Sequence, residues 1–557
     1  MTRAKYLLIS VCGVCVVLAA LFFVERRSDP RLSVSFIWNL HQPFYTENAA
    51  GEFEEAWVRL RTVKDYYRMI RKAEEEHTPL SFVISPSLIE QIDWYARGKK
   101  DVLQTISRVP AENLTLKEKE TILRRFFEVQ KSVALLPFPR YKELFEKRGA
   151  RAWTATDAEI TRALQTFSES DYRDLQTWFN LVWIDPELRD EFGLNILIEK
   201  GSSFSEKEKS LVLDVHEEIM DRTLPLVRKL AEEEKIEIVG TSIYWGILPL
   251  IIDSDIARAP DNENLPARFS FPEDARAHVE KSISFYAQTL GKAPRGFFPS
   301  EGAISDEALE ILSENGIQWT ALSDLVLGTR AEDDIYDVYC YERERECVSV
   351  ILRDKRASDF FLSAYTIPSD EAVRLFIDSL ISILERAPRN SSPLVTVLID
   401  GENPWDNYMD NANELLNSLY GQIKAHPSLS LVTPSSFISK YENPRVIRDV
   451  IPSSWHNDGF RMWIGEKEEN IAWEYLLRAR NDFKKILENK NVSSEARADA
   501  YDAILKSESG DWFWMYGDDD YYKNTSRFDS MFRAHLKSAY SALGVPAPEY
   551  LDTPIVP

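Results

Sequence analysis

An α/β fold built around a parallel sheet is predicted for this chain of 557 residues by three features of its sequence. Continuous apolar runs rich in leucine and β-branched residues, such as Leu394 to Leu398, read as strands buried on both faces, as they are when helices cover a sheet. Strand runs alternate with helical periods through the middle of the chain, the order that gives parallel strands. Two of these runs end in an acid, Glu301 and Asp400, and barrel folds place their chemistry at the carboxyl ends of strands.

The first strand is Val34 to Leu40, which empties into His41-Gln42-Pro43. Leu80 to Ile84 is the second, ending at Ser85-Pro86-Ser87. From about residue 89 to 234 the pattern is helical with charged faces, which reads as an insertion carried on the sheet domain. Strands resume at Ile236 to Gly240, Gly296 to Pro299, Gln318 to Leu322, Val348 to Leu352 and Leu394 to Ile399. Helices over Pro272 to Leu290, Asp306 to Asn315 and Ser369 to Arg386 fall between them. The alternation stops near Pro444 to Ser454, which sets an α/β domain over 31–445 apart from a helical domain over 446–557. A barrel with insertions needs roughly 250 residues or more, so the chain has room for both.

Composition narrows the partners. A net charge of -23, from 90 acidic against 67 basic residues, disfavours nucleic acid and anionic membrane surfaces as partners, because both need a basic footprint. A neutral substrate fits better. Residues Tyr6 to Val24 form an apolar stretch behind Arg3 and Lys5, closed by Glu25-Arg26-Arg27. It is long enough to span a bilayer, and Ala19-Ala20 runs on into Leu21-Phe22-Phe23 without a small-residue cleavage site. The expectation is export, with residues 1–30 an uncleaved signal anchor and linker in preference to a cleaved signal peptide, and the remainder outside the cytosol. Cys340 and Cys347 flank a charged stretch at a hairpin-like spacing. An oxidising compartment would allow a disulfide there; two free thiols are the alternative.

Glu301 and Asp400 are the candidate catalytic pair. Paired carboxylates are the usual equipment for breaking a glycosidic bond, one attacking the sugar cation and the other protonating the leaving oxygen. Taken singly, an acid at a strand end is more often a helix cap or a solvated loop residue. Here each acid is followed by a glycine, Gly302 or Gly401, and lies near a proline and an aromatic ring, Phe298 beside Glu301 and Trp405 beyond Asp400. Such rings are expected to offer a stacking surface to a sugar face. A metal-dependent deacetylase would need clustered histidines, and the 7 present are scattered.

With these motifs in order, the chain resembles glycoside hydrolase family 57, its amylopullulanase and α-amylase branch in particular, from about residue 33 to the end. His41-Gln42-Pro43 resembles the family's first region, Ile236 to Leu250 the second, Gly296 to Glu301 the third and Asp400-Gly401-Glu402-Asn403 the fourth. Asp511-Trp512-Phe513-Trp514, Ser454-Trp455 and Trp463-Ile464-Gly465 are similar to features of that branch. The resemblance implies an incomplete (β/α)7 barrel followed by a helical domain, acting on α-linked glucans such as maltooligosaccharides with retention of configuration and without a cofactor or metal. It implies Glu301 as nucleophile and Asp400 as general acid/base. His41 would line the subsite of the cleaved sugar, Glu402 and Trp405 would neighbour the acid, and Asp511 and Trp512 would close the site from the helical domain.

Two departures stand out. The second region carries Tyr244-Trp245-Gly246 where the branch usually has Tyr-His-Pro, so a histidine is missing and Trp245 is the residue expected at that place in the substrate site. The third has Phe298 where a tryptophan is usual, which keeps a ring and loses the indole donor. These losses leave open a noncatalytic glucan-binding protein on the same fold.

Overall fold

The structure is a computed structural model that describes residues 31–556 apart from 150–154, 260–261, 331–334, 344–345, 389–390, 457–458 and 518–524. The stretch Tyr6 to Val24 lies outside the described residues, so the expected anchor does too. Among the described residues no helix is long and apolar enough to cross a membrane.

Ten strands make one sheet among the described residues. They are β1 (Leu32–Leu40), β2 (Leu80–Ile84), β3 (Ile236–Val239), β4 (Gly296–Phe297), β5 (Trp319–Ser323), β6 (Tyr339–Arg343), β7 (Glu346–Arg353), β8 (Leu394–Asp400), β9 (Leu429–Leu431) and β10 (Arg445–Ile447). Seven of them close a parallel ring. β1 pairs with β2 and β8, β2 with β3, β4 with β5, β5 with β7, and β7 with β8. The β3–β4 joint is a bridge: the Gly240 N–H donates to Gly296 O at 2.9 Å and the Phe298 N–H donates to Gly240 O at 2.8 Å. The β7–β8 joint is also slight, a single register pair of Arg353 with Thr396. This is the (β/α)7 barrel, with its hydrogen bonding thinned at two places.

The apolar runs explain the ring. Successive side chains of a strand face opposite ways, and in β1 Val34, Phe36 and Trp38 pack under the outer helices while Ile37 joins an inner cluster with Val83, Val239, Trp319, Ala321, Ile351 and Leu398. Both faces are thus buried, which is why these strands lack the alternation of a half-exposed sheet. At Gly296 the ring has no room for more, because a Cβ there would lie 2.0 Å from the Trp319 indole.

Between β2 and β3 the chain is helical, from Pro86–Ala96 to the long helix Glu206–Glu232. That long helix starts at a capping box, Ser205 with Glu208. The segment has its own core, with Phe126, Phe127, Trp178 and Phe179 buried. After β10 come the helices Lys467–Asn489, Ser494–Ser507, Gly510–Tyr516 and Thr525–Ala542.

β6, β9 and β10 stand outside the ring. β6 runs antiparallel to β7 as a hairpin, and β10 adds to its far edge. Cys340 and Cys347 are joined by a disulfide across this hairpin, with Cα atoms 5.4 Å apart, inside the range a bridge requires.

Candidate active site

Asp400 is the last residue of β8, two places beyond the inward-facing Leu398, and it sits opposite Asn39 in the register with β1. The strand period therefore carries both side chains onto the barrel's inner face at its carboxyl end. The Asn39 amide donates to Asp400 Oδ1 at 3.0 Å. Burial raises the Asp400 carboxyl above the usual range and the charge of Glu301 raises it further, against the Asn39 hydrogen bond.

Glu301 comes from the turn after β4, where backbone geometry is unusual. Its φ is 58°, in the left-handed region, and Gly302 follows at 62°. Only glycine adopts that region at no steric cost, and a non-glycine residue held there marks a constrained site. The carboxylate has donors on both oxygens. Trp245 Nε1 donates to Oε1 at 2.9 Å and Trp455 Nε1 to Oε2 at 2.7 Å, with His456 Nε2 3.2 Å from Oε2. Burial works to raise the Glu301 carboxyl, but His456, the Trp245 hydrogen bond and the His41 charge together outweigh it and hold the group below its usual range.

The helical domain reaches the same place. Asp511 lies in the first turn of the helix Gly510–Tyr516, and His41 Nε2 lies 3.0 and 3.1 Å from its two carboxylate oxygens. An ionised carboxylate only accepts, so the proton of this pair sits on Nε2. Ser509 Oγ donates to Asp511 Oδ2 at 2.6 Å, and the Gly510 N–H donates to Trp245 O at 3.0 Å, tying the helix to the Trp245 turn. The His41 ring stacks on Trp245 with centroids 3.9 Å apart and planes 11° from parallel.

A cavity of about 1070 Å³ opens over these groups, lined by Glu301, Asp400, His41, Trp245, Glu402 and Asp511 among others. Glu402 Oε2 is buried without a hydrogen-bond partner among the described residues, and burial first, then the charge of Asp400, push its carboxyl well above the usual range. Three rings expected in the site are not in its wall. Phe298 is 0% exposed and fills the space between Trp245 and Trp455. Trp405, also 0% exposed, turns back into the outer layer against Trp38 and Phe361 and donates Nε1 to Gly401 O at 2.9 Å. Trp512, 1% exposed, donates to Lys506 O and packs on His535. A buried indole needs a partner for its N–H, and a backbone carbonyl supplies it here in the core.

Four residues were not placed in the site from the sequence, although the resemblance had singled out Trp455 as a feature of the branch. Asn39 is legible in hindsight as the inward position after Ile37. Trp455 and His456 come from a segment whose Ser453 pairs with Ile304, beside the Glu301 turn, a contact no local pattern announces. Arg353, at the end of β7, donates to Leu398 O and to Asp359 and lies over Trp455. The donor thought lost with the second-region histidine is supplied by the residue that replaced it, Trp245.

Comparison with known proteins bears on the family and the fold. The family model of Glycosyl hydrolase family 57 matches residues 35–451. The fold is similar to that of an α-amylase, AmyC, from Thermotoga maritima, with a TM-score of 0.55 and 14% identity over 94% of this chain and 96% of that one. It is similar too to a GH57-type branching enzyme from Pyrococcus horikoshii, at a TM-score of 0.57 and 14% identity over 93% and 95% of the two chains. A 4-alpha-glucanotransferase from Thermococcus litoralis gives 0.52 and 16%, over 92% of this chain and 60% of that one. No curated protein matches the sequence.

Proposed function

Because the chain belongs to glycosyl hydrolase family 57, we propose that it is a retaining glycosidase or transglycosylase acting on α-linked glucans, maltooligosaccharides included. One observation carries the reading: two carboxyl groups share a cavity and are biased in opposite directions, Glu301 toward the anion and Asp400 toward the acid. Pairs whose surroundings push their pKa values apart are how one site runs nucleophile and acid chemistry together.

Glu301 attacks the anomeric carbon while Asp400 gives its proton to the departing oxygen. Asp400 then takes a proton from incoming water or a sugar hydroxyl, which releases the glycosyl group with its original configuration. The alternative of a noncatalytic glucan-binding protein rested on donors lost at Trp245 and Phe298, and the indole N–H on Glu301 Oε1 removes the first of those motives. Glu402 is the rival acid, since it too is biased toward the neutral form.

The test is a set of variants on α-glucans and on activated α-glycosyl fluorides. Glu301→Gln abolishes turnover, azide restores glycosyl transfer from the activated substrate to Asp400→Ala, and Glu402→Ala keeps its own acid. Near-normal activity of Asp400→Ala on an unactivated α-glucan would overturn the acid/base assignment. We propose further that Tyr6 to Val24 holds the domain outside the cytosol; recovery of the intact chain only in the cytosolic fraction would refute this.

A further inference from the structure

The Trp455 indole has one hydrogen and two acceptors in reach. Its Nε1 lies 2.7 Å from Glu301 Oε2 and 2.9 Å from His456 Nε2, while His456 Nε2 lies 3.2 Å from that same carboxylate oxygen. In this triangle the indole is always a donor and an ionised Glu301 always an acceptor, so the histidine alone can change role. With Nε2 bare, histidine and carboxylate would turn lone pairs toward each other and compete for one hydrogen. With Nε2 protonated, both rings donate and Oε2 accepts from each.

The histidine is not placed by Glu301 alone. Ser453 and Ile304 exchange backbone hydrogen bonds of 2.9 and 3.2 Å, the Trp455 N–H donates to Glu301 O at 3.0 Å, and the His456 ring meets Trp463 edge-on at 5.7 Å. The side chain is 31% exposed, which gives its proton a route to solvent. Among the described residues, the charged groups that bear on this triangle include Glu301 itself, Asp400, His41 across the cavity, and Arg353 over the Trp455 ring at 5.7 Å.

We propose that His456 is a positioning residue whose Nε2 proton follows the charge of Glu301: cationic while Glu301 is a carboxylate, and neutral, accepting the Trp455 hydrogen, once Glu301 is a glycosyl ester. The proposal rests on Glu301 as the nucleophile. In the forward step a Glu301 oxygen bonds to the anomeric carbon, the glycosidic bond breaks, the Asp400 proton goes to the departing oxygen, and the His456 proton goes to bulk water. Deglycosylation returns both protons. Asp400 becomes an anion as Glu301 loses its charge, but it is not the group in contact with Nε2. The net change therefore favours release of the histidine proton.

The test is an NMR titration of the full chain with labelled histidine, the His456 signal being assigned with His456→Gln. An opposite charge in contact supports a shift of about 1 to 2 pH units, so the His456 midpoint falls by about that much in Glu301→Gln. In parallel, His456→Gln keeps a donor and loses the charge; its kcat/KM profile has the acid limb moved up by about one unit with KM little changed. An unchanged midpoint in Glu301→Gln overturns the proposal, as do nitrogen shifts of a neutral Nε2–H tautomer in the wild-type protein below its midpoint. So does a His456→Gln enzyme of lower turnover whose acid limb has not moved. Absence of α-glucan turnover in the wild-type protein would instead sink the functional reading and leave the titration comparison standing.

Discussion

Replacing Trp245 with phenylalanine keeps a ring and removes the single hydrogen that Glu301 Oε1 receives at 2.9 Å. Trp245 is buried and stacked flat on His41, so a phenyl ring retains the packing while the donor is lost. A hydrogen bond to a charged group contributes about 1.5 to 3 kcal/mol. The lower figure applies, because Trp455 and His456 still serve Oε2. One pKa unit corresponds to about 1.4 kcal/mol, so the Glu301 carboxyl rises by about one unit from its depressed position. The donor favoured the anion, and its loss favours the acid. As the proposed nucleophile, Glu301 must be ionised to attack, so the acid limb of kcat/KM moves to higher pH by about one unit. Below the limb this is about a tenfold loss, whereas the plateau changes less. The assay is kcat/KM against pH on an α-maltosyl fluoride, whose leaving group needs little help from Asp400, so the limb reports Glu301. A limb in the same place in Trp245→Phe and wild type would refute the account of how Glu301 is kept ionised.

Other expectations follow from the same contacts. Asn39→Leu removes the donor that favours ionised Asp400 at 3.0 Å without inviting water, so the alkaline limb of kcat/KM on an unactivated glucan moves up by about one unit or less; a downward move would contradict this. Reducing the Cys340–Cys347 bridge, or replacing both residues with serine, opens a loop with a sequence separation of 7. Loop-closure entropy puts the cost at about 2 to 3 kcal/mol, read as a lower Tm in thermal unfolding, with thiol counting on the denatured protein checking that the bridge was present.

The barrel was legible because its strands are long enough to show composition. β1, β2, β5, β7 and β8 are five residues or longer and mostly apolar or β-branched, and the alternation with helices gave their direction. β9 and β10 have 3 residues each and pair through backbone contacts, which leave no period to read. The carboxylates were legible for the same reason, since each follows a strand. The rings around them were not. A ring a few places from an acid in sequence says nothing about direction, and Pro404 begins a turn that sends Trp405 into the outer layer while Asp400 faces the interior. Trp405 and Phe298 are rings of the frame, not of the cavity wall.

The Glu301 donors show why residue type misled at the second region. Trp245 has φ 62° and Glu301 φ 58°, and each such conformation costs roughly 1 to 3 kcal/mol unless its surroundings hold it. Here each holds the other: the indole of one strained residue donates to the carboxylate of the second, the Gly510 N–H pins the carbonyl of Trp245, and the Trp455 N–H pins the carbonyl of Glu301. β4 contributes to this, since a strand of 2 residues leaves the sheet early and frees the chain to turn at Ser300. A histidine read as missing was therefore the wrong thing to count. What Glu301 requires is a donor at each oxygen on a backbone that holds its carboxylate over the ring. In this chain tryptophans from two distant segments meet that requirement, with a histidine beside one of them.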